Sequence, residues 1–266
     1  MNSAEQKFRD GDLSGCLADL QSLVRRNPAD GKLRIFLSQL MMVLGQWDRA
    51  LNQLKVLGEM DPAALPMVRT YETAVQCELF RAEVFAGNRT PLVFGDPEPW
   101  VAQLLQSLGL LAQGHLDQAL DLRAQAFEAA PTTPGRLNDR PFEWIADADA
   151  RFGPIAEVIL NGKYYWIPLH RLASVVIEAP SDVRDFVWIP AELRFTNGGE
   201  TMALLPARYP GSETDPNDAV RLSRTTQWRD LGSDIHVGVG QRVLTTDSDE
   251  IGLLEVRKIE LGIPAE

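Results

Sequence analysis

A ladder with a 34-residue period constrains this chain more than any other feature of its sequence. Gly11, Cys16, Leu20, Leu23 and Pro28 return 34 positions later as Gly45, Ala50, Leu54, Leu57 and Pro62. The same rungs come back at Gly114, Ala119, Arg123, Ala126 and Pro131, and a small residue (Ala4, Ser38, Ser107) stands seven places before each glycine. Each rung has a physical use. Glycine ends a first helix, small residues let a second helix pack closely, and proline stops that second helix. Repeats of this length cannot bury their apolar face alone, so they must stack.

In period and in its small–Gly–small–apolar–Pro order, the ladder resembles the tetratricopeptide repeat. That resemblance implies a TPR-like α-α superhelix over residues 1–135. The third copy lies 69 residues beyond the second. Between them, residues 66–86 read as one unbroken helix with Val68, Tyr71, Val75, Leu79 and Ala82 along one side. The turn-rich stretch 87–99 encloses Leu92, Val93 and Phe94, so it reads as an ordered connection that spaces the two stacks.

After Pro131 the joint Thr132-Thr133-Pro134-Gly135 hands over to alternating patterns. Asn161-Gly162 between Ile155–Leu160 and Lys163–Ile167 has the chemistry of a type I′ hairpin turn. Asn197-Gly198-Gly199 signals a second hairpin, and two late strands are expected over 235–245 and 250–261. The fold class read from these patterns is α+β in two domains. Residues 1–135 form the TPR-like helical domain, and 136–266 form a β-rich domain of six to eight strands, a twisted sheet or barrel-like.

With 26 basic and 37 acidic side chains the formal charge is −11, which disfavours nucleic acid and anionic membrane as main partners. A 45% hydrophobic and 24% charged composition is that of a chain with a sizeable core, and two isolated cysteines exclude a disulfide scaffold. No apolar run reaches the length of a spanning helix, so a cytoplasmic protein without membrane insertion is the expectation.

A search for chemistry finds little. His115, His170 and His236 show no metal or triad spacing, and Cys16 and Cys77 lack CxxC spacing. Gly238-Val239-Gly240 lacks the third glycine and the helix of a dinucleotide loop. Asp147 and Asp149 alone make a weak cation site, and an ion pair with Arg151 or a helix start suits them better. The expectation is no cofactor, no metal and no catalytic residue. The enzyme alternative is an aromatic pocket around Tyr165, Trp166, His170 and Trp188.

The second half carries a further likeness. Pro141 to Pro154 (PFEWIADADARFGP), Gly162 to Pro168 (GKYYWIP), Asp185 to Ala191 (DFVWIPA), Asn197-Gly198-Gly199-Glu200 and Ala207 to Ser212 (ARYPGS) occur in order. Together they resemble the ImpE/SciE family, and residues 136–266 resemble its C-terminal domain. The resemblance implies a non-enzymatic accessory protein of bacterial type VI secretion. It also implies partners: the small subunit of the contractile sheath, and a ClpV-type ATPase that disassembles the spent sheath. No contact residues are carried over from the family. Repeat geometry instead nominates Ile35, Gln39, Met42, Leu104, Leu108 and Leu111 as the lining of a concave groove for an amphipathic helix. The competing use of these six is packing against the β-rich half, and a third reading of the chain is a structural homo-oligomer.

Overall fold

The computed structural model describes residues 3–96, 98–232 and 235–263. Seven helices come first: α1 (Ser3–Asp10), α2 (Leu13–Arg26), α3 (Gly31–Val43), α4 (Trp47–Met60), α5 (Leu65–Phe85), α6 (Pro99–Ala112) and α7 (Leu116–Ala129). The rungs of the ladder sit where helix geometry needs them. Gly11, Gly45 and Gly114 have φ of +82°, +64° and +80°, the left-handed conformation that closes α1, α3 and α6. Pro28, Pro62 and Pro131 stand just beyond α2, α4 and α7. Ala4, Ser38 and Ser107 are buried where paired helices touch.

The strands are β1 (Leu92–Val93), β2 (Gly135–Leu137), β3 (Arg140–Phe142), β4 (Ile145–Asp147), β5 (Ile155–Leu160), β6 (Lys163–Pro168), β7 (Leu172–Ile177), β8 (Trp188–Phe195), β9 (Glu200–Pro206), β10 (Thr226–Asp230), β11 (His236–Gly240), β12 (Val243–Thr246), β13 (Glu250–Gly252) and β14 (Lys258–Leu261). A short helix α8 (Asp218–Arg221) lies between β9 and β10. Nine strands form one sheet in the order β1-β6-β5-β9-β8-β7-β14-β2-β3. The sheet ends at β1 on one side and β3 on the other, so it is open and not a closed barrel. Smaller sheets, β13-β12-β4 and the ribbon β10-β11, complete this half.

Two expectations are revised. The strands outnumber the six to eight expected: among the described residues twelve of them, β3 to β14, lie within residues 136–266, and the two late segments are each broken in two. Arg242 interrupts the first break by turning inward to two buried carboxylates, and a 3-10 turn at Leu253–Glu255 interrupts the second. The connection after α5 is more than a spacer. Its β1 pairs in parallel with β6, Leu92 opposite Tyr165 and Val93 opposite Trp166, so the helical half supplies an edge strand to the large sheet.

Alternation on the sheet separates two cores. Ala156, Val158, Leu160, Ile167, Ile189 and Leu193 face a core closed by Leu244 and Leu253. Ile155, Ile159, Tyr164, Trp166 and Trp188 point the other way and merge with the helices in a single core that includes Leu40, Leu54 and Val75. Helices and sheet therefore divide the chain by secondary structure but share their packing. No helix among the described residues is long and apolar enough to cross a membrane.

Candidate functional site

The concave side of the first helix pairs is filled by the chain's own later residues. Of the six groove candidates, Gln39, Met42, Leu104 and Leu108 are buried, and Ile35 and Leu111 are half-buried against the interior. Of their two expected uses, this burial favours packing within the protein over lining an open groove. The 3-10 turn Val183–Phe186 packs on α3, and Phe186 lies 6.2 Å from Phe8. Trp188 lies 6.0 Å from Trp47 and 6.4 Å from Tyr71. Around the third pair, Leu104, Leu108 and Leu111 face Ala150, Arg151 and Ile235 across a nearly closed crevice.

Three helix ends are finished from this half, each with the charge its dipole favours. Arg208 donates to the carbonyls of Val43 (2.7 Å) and Met42 (3.1 Å) at the C-terminus of α3. Arg224 donates to those of Arg9 (2.9 Å) and Phe8 (3.0 Å) at the end of α1. Asp218 accepts from the Leu13 amide (3.1 Å) at the start of α2. Orphan backbone groups of the helices are satisfied by residues some two hundred positions away.

Below α5 runs a buried ionic network. Arg81 donates to both oxygens of Glu157 (2.7 and 2.6 Å) and to Glu78 (2.9 Å). Arg242 bridges Glu157 (2.7 Å) and Asp147 (2.9 and 2.5 Å). Tyr209 donates to Asp147 (2.8 Å), Tyr164 donates to Glu157, and the indole of Trp188 donates to Glu78 (2.9 Å). Burial alone would raise the Glu157 carboxyl, but the guanidinium groups of Arg81 and Arg242 outweigh it and hold its pKa low. For Asp147 burial wins over Arg242 and moves its pKa up. Burial also raises Tyr164 and Tyr209 well above the normal phenol range. Opposite charges paired away from water link α5 to the sheet. Glu157 and Arg242 also border a small apolar cavity of about 40 Å³, room for little more than water.

The aromatic pocket has no opening. Trp166 and Trp188 are fully buried, and the Trp166 indole donates to Tyr164 (2.8 Å). Tyr165 faces the opposite core, 6.3 Å from Phe94. His170 lies against Glu98 (3.0 Å), which also accepts from Arg171 (2.7 Å) and Trp100 (2.8 Å) and so ties the connection after α5 to the sheet. His115 precedes α7 at an exposed turn, and His236 is exposed on β11. Asp149 pairs with Arg151 at 2.5 Å. No group of three or more metal-ligating side chains gathers among the described residues.

An open cleft of about 650 Å³ lies between α5 and the sheet. Arg69, Tyr71 and Thr73 of α5 form one wall, and Pro190, Met202 and Leu204 form the other. Met202 is 63% exposed, an unusual position for a large apolar side chain. Sequence reasoning overlooked it. The signal was there in β9, where Ala203 and Leu205 alternate inward and Met202 must point out.

Comparison with known proteins agrees with this architecture. Residues 139–260 match the family described as ImpE protein. Over 97% of its length the chain is 53% identical to the type VI secretion system accessory component TagJ of Pseudomonas aeruginosa, covering 90% of that protein. Its fold is similar to the crystal structure of protein VPA1032 from Vibrio parahaemolyticus. That match has a TM-score of 0.90 at 22% identity, over 99% of this chain and 98% of the other. At that identity the crystal structure speaks for the fold alone. The 53% identity along nearly the whole chain and the ImpE match across the sheet half say more, and the chain belongs to the ImpE family, together with TagJ.

Proposed function

We propose that this protein is a non-enzymatic accessory component of type VI secretion that acts in the cytoplasm. It binds an amphipathic helix of the small contractile-sheath subunit and thereby modulates sheath assembly or disassembly by a ClpV-type ATPase. The observation that carries the accessory role is the 53% identity to a protein so named. The helix-binding step rests on the α5–β9 cleft, which sets Met202, Leu204 and Pro190 across from polar groups of α5. Burying three or four Leu-sized side chains there is worth about 1.5–3 kcal/mol each before association costs. Those costs leave an affinity in the micromolar range or somewhat tighter.

The test titrates the full chain and its Met202→Asp variant with a peptide spanning the sheath-subunit helix, followed by fluorescence anisotropy. Met202 is exposed enough for the variant to fold, and circular dichroism checks that it does. Binding to the parent chain and a loss of more than about tenfold in the variant supports the reading. Equal binding by both moves the contact away from this cleft. No binding to either removes the sheath helix as partner.

A further inference from the structure

The acidic balance of the chain is reversed over the second, third and fourth helices. Between Leu20 and Leu57, Arg25, Arg26, Lys32, Arg34, Arg49 and Lys55 face only Asp30 and Asp48, in a protein of net charge −11. Asp30 is committed locally, accepting from the amides of Lys32 (2.9 Å) and Leu33 (3.2 Å) to cap α3. Asp48 stands in the first turn of α4, where the helix dipole favours an anion. None of the six cations forms an ion pair among the described residues.

Part of this excess has a local reason. Arg25 and Arg26 complete the last turn of α2, where cations are favoured. Arg49 has no such reason, and its one local partner is the neutral side chain of Gln46, to which it donates. It sits in the first turn of α4, the end at which a dipole disfavours a cation, and it is exposed. Arg25 and Arg49 line the same groove of about 410 Å³ between α2, α3 and α4. Its floor is the narrow exposed edge of Val24, Leu37 and Met41, which are otherwise buried, and Gln21, Asn52 and Gln53 line its sides. Arg34 is tied to that rim through Gln53 (3.1 Å).

An apolar floor between two guanidinium groups that have no carboxylate partner among the described residues is complementary to one kind of occupant. We propose that the α2–α3–α4 groove is a second docking surface, which takes an acidic segment of a partner protein. The segment seats a large apolar side chain on Leu37 and Met41 and places carboxylates on Arg25 and Arg49. Guanidinium groups suit such carboxylates because they pair bidentately. A polyphosphate is the poorer match, since it has no apolar side chain for the floor.

The experiment uses the full chain and fluorescent synthetic peptides of roughly four helical turns. One carries glutamates flanking a Leu/Phe stripe, a second replaces glutamate by lysine, and a third keeps glutamate but replaces the stripe by serine. A single-stranded oligonucleotide of similar charge is the fourth probe. Anisotropy should show binding of the first peptide only, weakened about tenfold or more by the paired variant Arg25→Glu/Arg49→Glu and by raised salt, and unchanged by Met202→Asp. Both arginines are exposed, so the paired variant keeps its fold, and Arg25→Lys/Arg49→Lys should retain part of the binding. The proposal is overturned if the first peptide does not bind. It is equally overturned if charge reversal leaves binding unchanged, if the serine or lysine peptide binds as well, or if the oligonucleotide binds more tightly.

Discussion

Arg81 on α5 and Glu157 on β5, 76 residues apart in sequence, meet through two parallel hydrogen bonds of 2.7 and 2.6 Å with both side chains buried. The same guanidinium reaches Glu78 and the carbonyl of Arg208, and the same carboxylate takes Arg242 and Tyr164. Replacing one member therefore strands others. That makes this pair the fixed point between helices and sheet.

Glu157→Gln should be among the most destabilising conservative changes in the chain. It leaves Arg81 and Arg242 buried with one neutral acceptor between them, and breaking a buried pair from one side costs about 3–5 kcal/mol. Urea unfolding should show the midpoint fall without a change in slope. A cost below about 1 kcal/mol would mean that water enters the network.

The two network carboxylates should leave opposite marks on the pH dependence of stability. The folded pKa of Glu157 is held below its ordinary value, so its contribution is complete above about pH 4.5 and is lost as pH falls through the folded value. Asp147 is shifted upward, so its ionisation in the folded state is penalised and stability falls as pH rises past its ordinary value of about 4. Urea midpoints between about pH 3 and 6 should give a flatter acid limb in Glu157→Gln and a steeper one in Asp147→Asn. Slopes that change in the same direction in both would contradict this assignment.

The sequence disclosed what depends on local geometry. Gly45 and Gly114 marked the left-handed helix ends, and Asn161-Gly162, with φ of +48° and +75°, marked the β5–β6 turn. The ImpE resemblance of the second half was also legible, because several short motifs occur in order. Long-range placement was not. Nothing around Met42 announces that Arg208, 166 residues on, caps its helix, so the sequence leaves both uses of the inner face of α3 open. Arg242 likewise falls inside the strand expected over 235–245, and its two acidic partners, distant in sequence, lie at the break between β11 and β12. Periodicity reports which side of an element is apolar, and it does not say which part of the chain will cover that side.

Two glycines should respond very differently to alanine. A Cβ on Gly238 would stand 2.3 Å from the ring of Tyr209, which Asp147 and the Val243 amide (3.0 Å) hold in place. The ring cannot move aside, and Gly238→Ala should cost about 1–3 kcal/mol or more. At Gly114 nothing lies within 4 Å, so Gly114→Ala costs only the left-handed backbone at φ +80°, about 1–2 kcal/mol. Calorimetry of both variants separates the two causes. Adding Tyr209→Leu should relieve part of the Gly238→Ala loss and none of the Gly114→Ala loss.

The two thiols should report on opening of the helical half. Burial raises Cys16 and Cys77 to about 11, against an unperturbed thiol near 8.5, so at pH about 8 both remain protonated and shielded in the native protein. An aromatic disulfide reagent should release almost no thiolate chromophore from the native chain, and two equivalents in urea. Linkage gives a second readout of the same burial. Above about pH 8.5 the unfolded thiols lose protons that the folded ones keep, so stability should decline as pH rises from there. Cys16→Ala and Cys77→Ala should each flatten that alkaline limb. Rapid reaction of Cys16 alone in the native protein would mean that α2, which carries it, opens without the sheet and that Asp218 does not hold the start of that helix.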